Sequence, residues 1–295
     1  MQFHSDEQVI AVAYDSVGEA GCNRPTAGTN SSVWADVGTE SKTGNEAQRW
    51  FGAPSCAVMK ERLQKGWPEG VERLMKLALE DVPAPQSLRR KRVRSDFGDS
   101  LDMQRVYRGD LAQAWERTQK RASNNPPTIT ILVNLSCIGS VDSNELFWRG
   151  AAVLRLTEAL SVAGYNVAIW GTCASFNAYY DDRHANVQFV PIKDSDSPLD
   201  ISQLASVICM AGYKRYFLHK GRVELGEKFE KSTDIGLGNS SNYVLIDQIT
   251  MHALRAFPHI PQEVYYMPQI HSQREAESWI SEQLTKLAAA HLGDF

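Results

Sequence analysis

Apolar and polar positions along the chain fall into three regimes. Over residues 1–44, short apolar pieces such as Val9-Ile-Ala-Val-Ala-Tyr14 alternate with Gly, Ser, Thr and Asn. That pattern predicts one short strand and then an irregular arm. From 45 to 125 the spacing is mostly helical. Ala53-Pro54-Ser55 reads as a helix start with Ser55 as its cap, and Val58, Met59 and Leu63 follow. Gly66-Trp67-Pro68-Glu69-Gly70 reads as a turn. Val71, Leu74, Met75, Leu77 and Ala78 then mark the apolar face of a second helix, which Pro83-Ala-Pro85 breaks. Leu101–Arg121 is expected to resume the helix, with Tyr107, Leu111, Ala114 and Trp115 as its apolar positions.

From 126 to 295 the period switches back and forth between two and 3.6. The run Thr128-Ile-Thr-Ile-Leu-Val-Asn134 predicts a strand, Ser136–Ser143 a polar turn, and Leu146–Ala163 a long helix ended by Gly164. Further strands are expected at Tyr165–Trp170, Asn186–Ile192, Lys214–His219 and Glu263–Met267. Helices are expected from Ser197-Pro198 to Gly212, over Tyr243–Ala256, and at the C-terminal end, where Ser272 is the candidate cap. Alternating elements with short connections imply an α/β fold. Its sheet should be mainly parallel and flanked by helices, with the helical region as an N-terminal extension.

Composition changes little. Of the 295 residues, 43% are hydrophobic and 22% charged, ordinary values for a globular protein. A net charge of −4 gives no global argument for nucleic acid. No apolar run approaches the about 20 residues of a membrane span, so no membrane partner is expected. The start, Met1-Gln-Phe-His, lacks the features of a secretion signal, and the expected location is the cytoplasm of the cell that makes the chain. The five cysteines, Cys22, Cys56, Cys137, Cys173 and Cys209, are scattered and read as small buried hydrophobes.

The turn after the first α/β strand carries the most chemistry. In a von Willebrand factor A-type domain this turn reads Asp-x-Ser-x-Ser, and its oxygens ligate a divalent cation. The present chain has Asn134-Leu-Ser136-Cys-Ile138. Ser136 matches, but a carboxylate and a hydroxyl are gone. No metal or other cofactor is therefore expected there, with Asp142 and Ser143 as the nearest oxygens for a shifted site. Asp194 and Asp196 are expected on the same sheet edge.

Residues 96–290 resemble a family of uncharacterised tailed-phage proteins with a von Willebrand A-like core. The matching pieces are Phe97-Gly98-Asp99, Arg105-Val-Tyr107-x-Gly109-Asp110, Val133-Asn134, Arg149-Gly150-Ala151-Ala152, Ala159-Leu160-x-x-x-Gly164-Tyr165 and Pro268…Ala276-x-x-Trp279-Ile280. Phe51–Ser55 and Gly66–Gly70 also fit. The resemblance implies a phage origin, in the host cytoplasm or with the virion, and a Rossmann-type core. It brings no catalytic residue.

The expected function is non-enzymatic: a protein-binding or assembly factor that uses the carboxyl edge of its sheet. The contact set would be Asn134, Ser136, Ser140, Asp142, Thr172, Asp194, and Gly238 and Asn239 of the loop 236–242. Two alternatives compete. The cluster Arg89, Arg90, Lys91, Arg92 and Arg94 would suit nucleic-acid phosphates, with the arm at 15–45 assisting. The loop 236–242 would suit a nucleotide-binding hydrolase, through amides at a helix start.

Overall fold

The computed structural model describes residues 1–20, 41–77, 90–95, 100–110, 113–120, 127–137, 139–176, 184–230 and 243–292. A six-stranded sheet runs in the order β1-β2-β8-β7-β6-β9. Its strands are β1 (Gln2–Ser5), β2 (Val9–Ala13), β6 (Thr128–Asn134), β7 (Asn166–Phe176), β8 (Ala185–Lys193) and β9 (Val264–Met267). The interior strand β6, between β7 and the edge strand β9, is a nearly unbroken β-branched and apolar run. Such a strand is satisfied only when buried on both faces, and from Thr130 to Asn134 it is.

The sheet is mixed: three of its five strand pairings are parallel, which fits a mainly parallel sheet, and two are antiparallel, which the sequence pattern does not anticipate. β9, β6 and β7 are mutually parallel, as are β2 and β8, but β7 and β8 pair antiparallel from Phe176 opposite Ala185 to Ile169 opposite Lys193. Strand β7 extends six residues beyond Trp170. That leaves only eight residues before β8, too few for the crossover a parallel pair needs. Opposite Ile169 and Trp170 stand Lys193 and Pro191, so Ile192 bulges out where Pro191 has no amide proton to give.

Helix α5 (Leu146–Ala163) is apolar almost all round, and it is buried almost all round. One side lies on the sheet. The other is covered by α3 (Pro68–Lys76) and by α6, which starts as Ile201–Leu204 and widens into a π-helical stretch, Ala205–Cys209. Gly150 makes the close approach possible, because a Cβ there would overlap Cys209 Sγ and stand 3.3 Å from Leu74 Cδ1. C-terminal helix α9 (Gln273–Leu292) packs on α5 as well. Helix α8 (Tyr243–Leu254) covers the opposite face of the sheet, where Phe189, Phe257 and Trp170 share a second core.

The expected fourth strand, Lys214–His219, is helical. Residues Tyr213–Leu218 form wide π turns that pass directly into His219–Lys228, together α7. Tyr213, Tyr216, Phe217 and Leu218 are consecutive or nearly so, and all are buried. A short run of that kind fits a buried helix as well as a strand. The start expected at Ser197-Pro198 falls later, where Asp200 caps the amides of Ser202 and Gln203. Ser55 caps α2 (Cys56–Lys65) as expected, by accepting from the Val58 amide at 3.2 Å. Ser272 accepts from the Glu275 amide at 3.3 Å.

The middle of the chain is less helical than its pattern suggests. Helix α1 (Gly44–Phe51), α2 and α3 are present, and so is a short α4 (Met103–Tyr107). But Arg90–Ser95, within the basic cluster, forms a strand, β3. It pairs antiparallel with β5 (Trp115–Lys120), which also pairs with the two-residue β4 (Ser100–Leu101). The expected helix over Leu101–Arg121 is thus replaced by a turn of α4 and a strand.

Candidate functional site

The carboxyl ends of β9, β6 and β7 lie at one edge of the sheet. Asn134, the last residue of β6, is 2% exposed. Its Oδ1 accepts from the Ser136 amide at 2.9 Å, and its Nδ2 donates to the Tyr266 hydroxyl at 3.0 Å. Tyr266 in turn donates its single proton to Asp247 Oδ1 at 2.6 Å. Since that proton is committed, the partner of Tyr266 at position 134 must itself be a donor. An amide meets this requirement and a carboxylate does not. Asn134 is therefore a structural element of a relay from β6 through β9 to α8. Burial raises the Asp247 pKa against the Tyr266 hydrogen bond. Burial first, then Asp247, pushes the phenol of Tyr266 up.

Beneath the same edge sits Arg149, 1% exposed, in the first turn of α5. Its Nη1 donates to the Asn134 carbonyl at 2.9 Å, while Nε and Nη2 donate to the Ile208 carbonyl at 3.2 and 2.5 Å. Ile208 stands in the last turn of α6, where carbonyls lack helical partners and the helix dipole is negative. A guanidinium fork suits both carbonyls at once. Arg215 of α7 repeats the device: it donates to the Trp50 carbonyl at the end of α1 (2.8 Å) and to the Val141 carbonyl (2.9 Å), and its guanidinium lies 4.4 Å from the centre of the Trp50 ring.

Lys214, His219 and Arg222 of α7 complete a cationic region facing the ends of β6 and β7. Lys214 Nζ donates to the Cys137 carbonyl at 3.3 Å. Burial lowers its pKa, and Arg222 and Arg215 add to the effect. Arg222 Nη2 lies 2.7 Å from His219 Nδ1. An arginine only donates, so that nitrogen accepts and the imidazole proton is on Nε2. Burial, helped by the charges of Arg222 and Lys214, brings the His219 pKa down to about 3. The ring is neutral at physiological pH.

The expected contact set is divided by this geometry. Ser136 (1% exposed) and Thr172 (1%) share the edge with Asn134 but are as deeply buried. Thr172 stands opposite Asn134 inside β7, and its Oγ1 has no partner among the described residues. Ser140 is exposed on the turn. Asp142 is spent locally: Oδ1 accepts from the Asn144 amide at 2.9 Å, and Oδ2 is 3.8 Å from Arg49. Ser143 donates to the Gln48 carbonyl at 2.9 Å. Asp194 is at the other edge. Because β8 runs against β7, its carboxyl end lies beside the start of β7, where Lys193 Nζ reaches the Val167 carbonyl. Gly238 and Asn239, Ile138 and Arg89 lie outside the described residues. Arg90, Lys91 and Arg92 belong to β3, and Arg94 is exposed. Among the described residues no group of three His, Cys, Asp or Glu side chains could hold a metal ion. Cys56, Cys137, Cys173 and Cys209 are buried, and burial pushes the Cys209 thiol up to about 12.

A family model covers residues 5–291, from the end of β1 into the last turns of α9. The chain belongs to that family, described as "Domain of unknown function (DUF7192)". No curated protein matches the chain, and no solved structure does. The span of the DUF7192 match takes in both sheets and the whole cationic edge. Among the described residues, no helix is long and apolar enough to cross a membrane.

Arg149, Lys214, Arg215, His219 and Arg222 are not apparent in the sequence as a group. The signal available was the spacing of Lys214, Leu218 and Arg222, which shares one helix face. It is visible only once Lys214–His219 is read as helix.

Proposed function

We propose that the protein is a non-enzymatic binding factor of phage origin with a von Willebrand A-like core. It engages a protein partner during assembly in the host cytoplasm, through the turn that follows β6. The observation that carries this reading is how the edge is constructed. Asn134, Arg149 and Ser143 are each committed to hydrogen bonds that hold the two ends of the turn, and Ser140 is left exposed between them. Von Willebrand A-type domains bind protein ligands at this edge, and the resemblance brings that use to the present chain. A turn held at both ends presents a contact surface at a reduced ordering cost on binding.

A photo-crosslinking residue at Ser140, compared with one at Asp194 on the opposite edge, tests the reading inside the producing cell. A discrete adduct is expected from Ser140 and none from Asp194. Equal adducts at both positions, or none at Ser140, would reject it.

A second reading is favoured by one observation: the basic run is a strand. β3 pairs along its whole length with β5, and the register sets Arg90 opposite Lys120 and Val93 opposite Arg117. Beyond the short β4, which pairs only at Trp115 and Glu116, β3 and β5 run as a two-stranded ribbon that brings basic residues of both segments together, with Glu116 opposite Arg94, and the major groove of duplex DNA admits such a ribbon. Binding to random-sequence duplex should then weaken steeply with salt, with the logarithm of affinity falling linearly against that of salt concentration. A flat salt response would remove this reading.

A further inference from the structure

A second cavity-forming cluster lies on the α7 side of the sheet. Ser136 after β6, Ser175 near the end of β7, and Lys214, His219 and Arg222 of α7 line a pocket of about 350 Å3, part of it open to solvent. Its floor is buried: Ser136, Ser175 and Gln188 are 1%, 8% and 2% exposed. Its rim is half-buried, at Lys214 and His219. The Gln188 amide is engaged at both ends in the wall, accepting from the Tyr14 hydroxyl at 3.1 Å and donating to the Leu218 carbonyl at 2.8 Å. The Ser136 hydroxyl donates to the Ala174 carbonyl at 3.4 Å, and the Ser175 hydroxyl, the Lys214 ammonium, the Arg222 guanidinium and the His219 imidazole line the rest of the space. No carboxylate is among its described lining residues.

We propose that this pocket is a binding site for a tetrahedral oxyanion, a single phosphoryl group. Three features carry the assignment. First, the sign of the field is fixed by Lys214 and Arg222, with Arg215 and Arg149 close behind, and cations so arranged concentrate anions. Second, the uncharged lining groups contribute donors. His219 is locked with its proton on Nε2 because Nδ1 accepts from Arg222, so the imidazole adds an N–H rather than a competing lone pair. Third, the place is the carboxyl end of adjacent parallel strands β6 and β7, where α/β sheets gather their ligands. The π-helical opening of α7 delivers Lys214 to this end, and such widened turns recur at functional sites. The enclosed part is only about 20 Å3, the room of one or two waters, so a phosphoryl group would sit in the open mouth between Lys214, His219 and Arg222 rather than on the floor.

The site does not rest on the protein-partner reading, and it is measured on the isolated full chain. Thermal unfolding and 31P line broadening would be followed in inorganic phosphate, in phenyl phosphate, and in chloride at equal ionic strength. Inorganic phosphate at millimolar concentration should raise the unfolding midpoint by several degrees over chloride. His219→Gln, a rim change, should weaken binding about tenfold while leaving the midpoint in chloride near that of the wild type; Lys214→Met should weaken binding as far and, by stranding the Cys137 carbonyl, also lower the midpoint in chloride. Lys286→Met, at an exposed position of α9, should leave binding unchanged. Tighter binding of phenyl phosphate would identify a phosphomonoester as the ligand, and equal or weaker binding free phosphate. A midpoint in phosphate equal to that in chloride, or full phosphate affinity in Lys214→Met, would overturn the assignment. If Lys214→Met unfolds, His219→Gln alone carries the same test.

Discussion

Arg149→Met should lower the unfolding free energy by about 3 kcal/mol. Methionine fills much of the arginine's volume, so a cavity is not the main loss. The loss is electrostatic and directional. Two carbonyls, those of Asn134 and Ile208, are left buried without their guanidinium donors. Each stranded polar group costs about 1–3 kcal/mol. One effect opposes this: a buried cation is itself expensive, and its removal returns part of that cost. The stranded carbonyls prevail, because the variant removes only one side of the interaction and leaves its partners in the core. Arg149→Lys should recover less than half of the loss. A single ammonium cannot span carbonyls from β6 and α6 at the same time. Urea unfolding monitored by fluorescence would measure both variants. A Met variant within 1 kcal/mol of the wild type would show that the guanidinium does not hold these elements together.

Asn134→Asp, which restores the carboxylate of a metal-binding turn, should destabilise the protein by about 3 kcal/mol at neutral pH without creating a cation site. The amide now donates to Tyr266, whose own proton goes to Asp247. A carboxylate at 134 removes a donor, places two acceptors against one hydroxyl, and adds negative charge beside Asp247. Losing the hydrogen bond costs about 1–3 kcal/mol, and the buried like charge adds to it. The new carboxyl would therefore have its folded pKa raised above the about 3.9 of an unfolded Asp. A raised acid binds more protons when folded. The variant's deficit should be smallest below about pH 4 and grow as pH rises through the folded pKa. Unfolding midpoints taken at intervals from pH 4 to 8, with and without magnesium, would check this. A deficit that is flat with pH, or a midpoint restored by magnesium, would show that the relay is not what fixes Asn134.

Both expectations concern residues whose identity is plain in the sequence and whose role is not. Asn134 stands at the end of a readily recognised strand, and comparison with a metal-binding turn suggests a lost ligand. The partner that explains it, Tyr266, is 132 residues away. Arg149 sits in the first turn of a largely apolar helix, on its buried side, and only the neighbouring end of α6 explains why a charge is tolerated there. The edge assignment of Asp194 failed for a related reason. Strand β7 continues through Gly171-Thr-Cys-Ala-Ser-Phe176, a stretch of small and polar residues that does not signal a strand. Stopping it at Trp170 leaves room for a crossover and suggests a parallel β8.

What the sequence determined by itself is local. The interior strand β6, its polar turn and helix α5 follow from apolar periodicity. The starts at Ser55 and Ser272 and the stop at Gly164, which takes the left-handed conformation at φ 99°, follow from capping chemistry that spans only a few residues. The tertiary structure alone decided the direction of β8, the coiling of Lys214–His219 into α7, and the gathering of Arg149, Lys214, His219 and Arg222 around one edge. Those outcomes depend on which distant surface buries a run and which distant carbonyl accepts a proton. Neither quantity is carried by the spacing of residues along the chain.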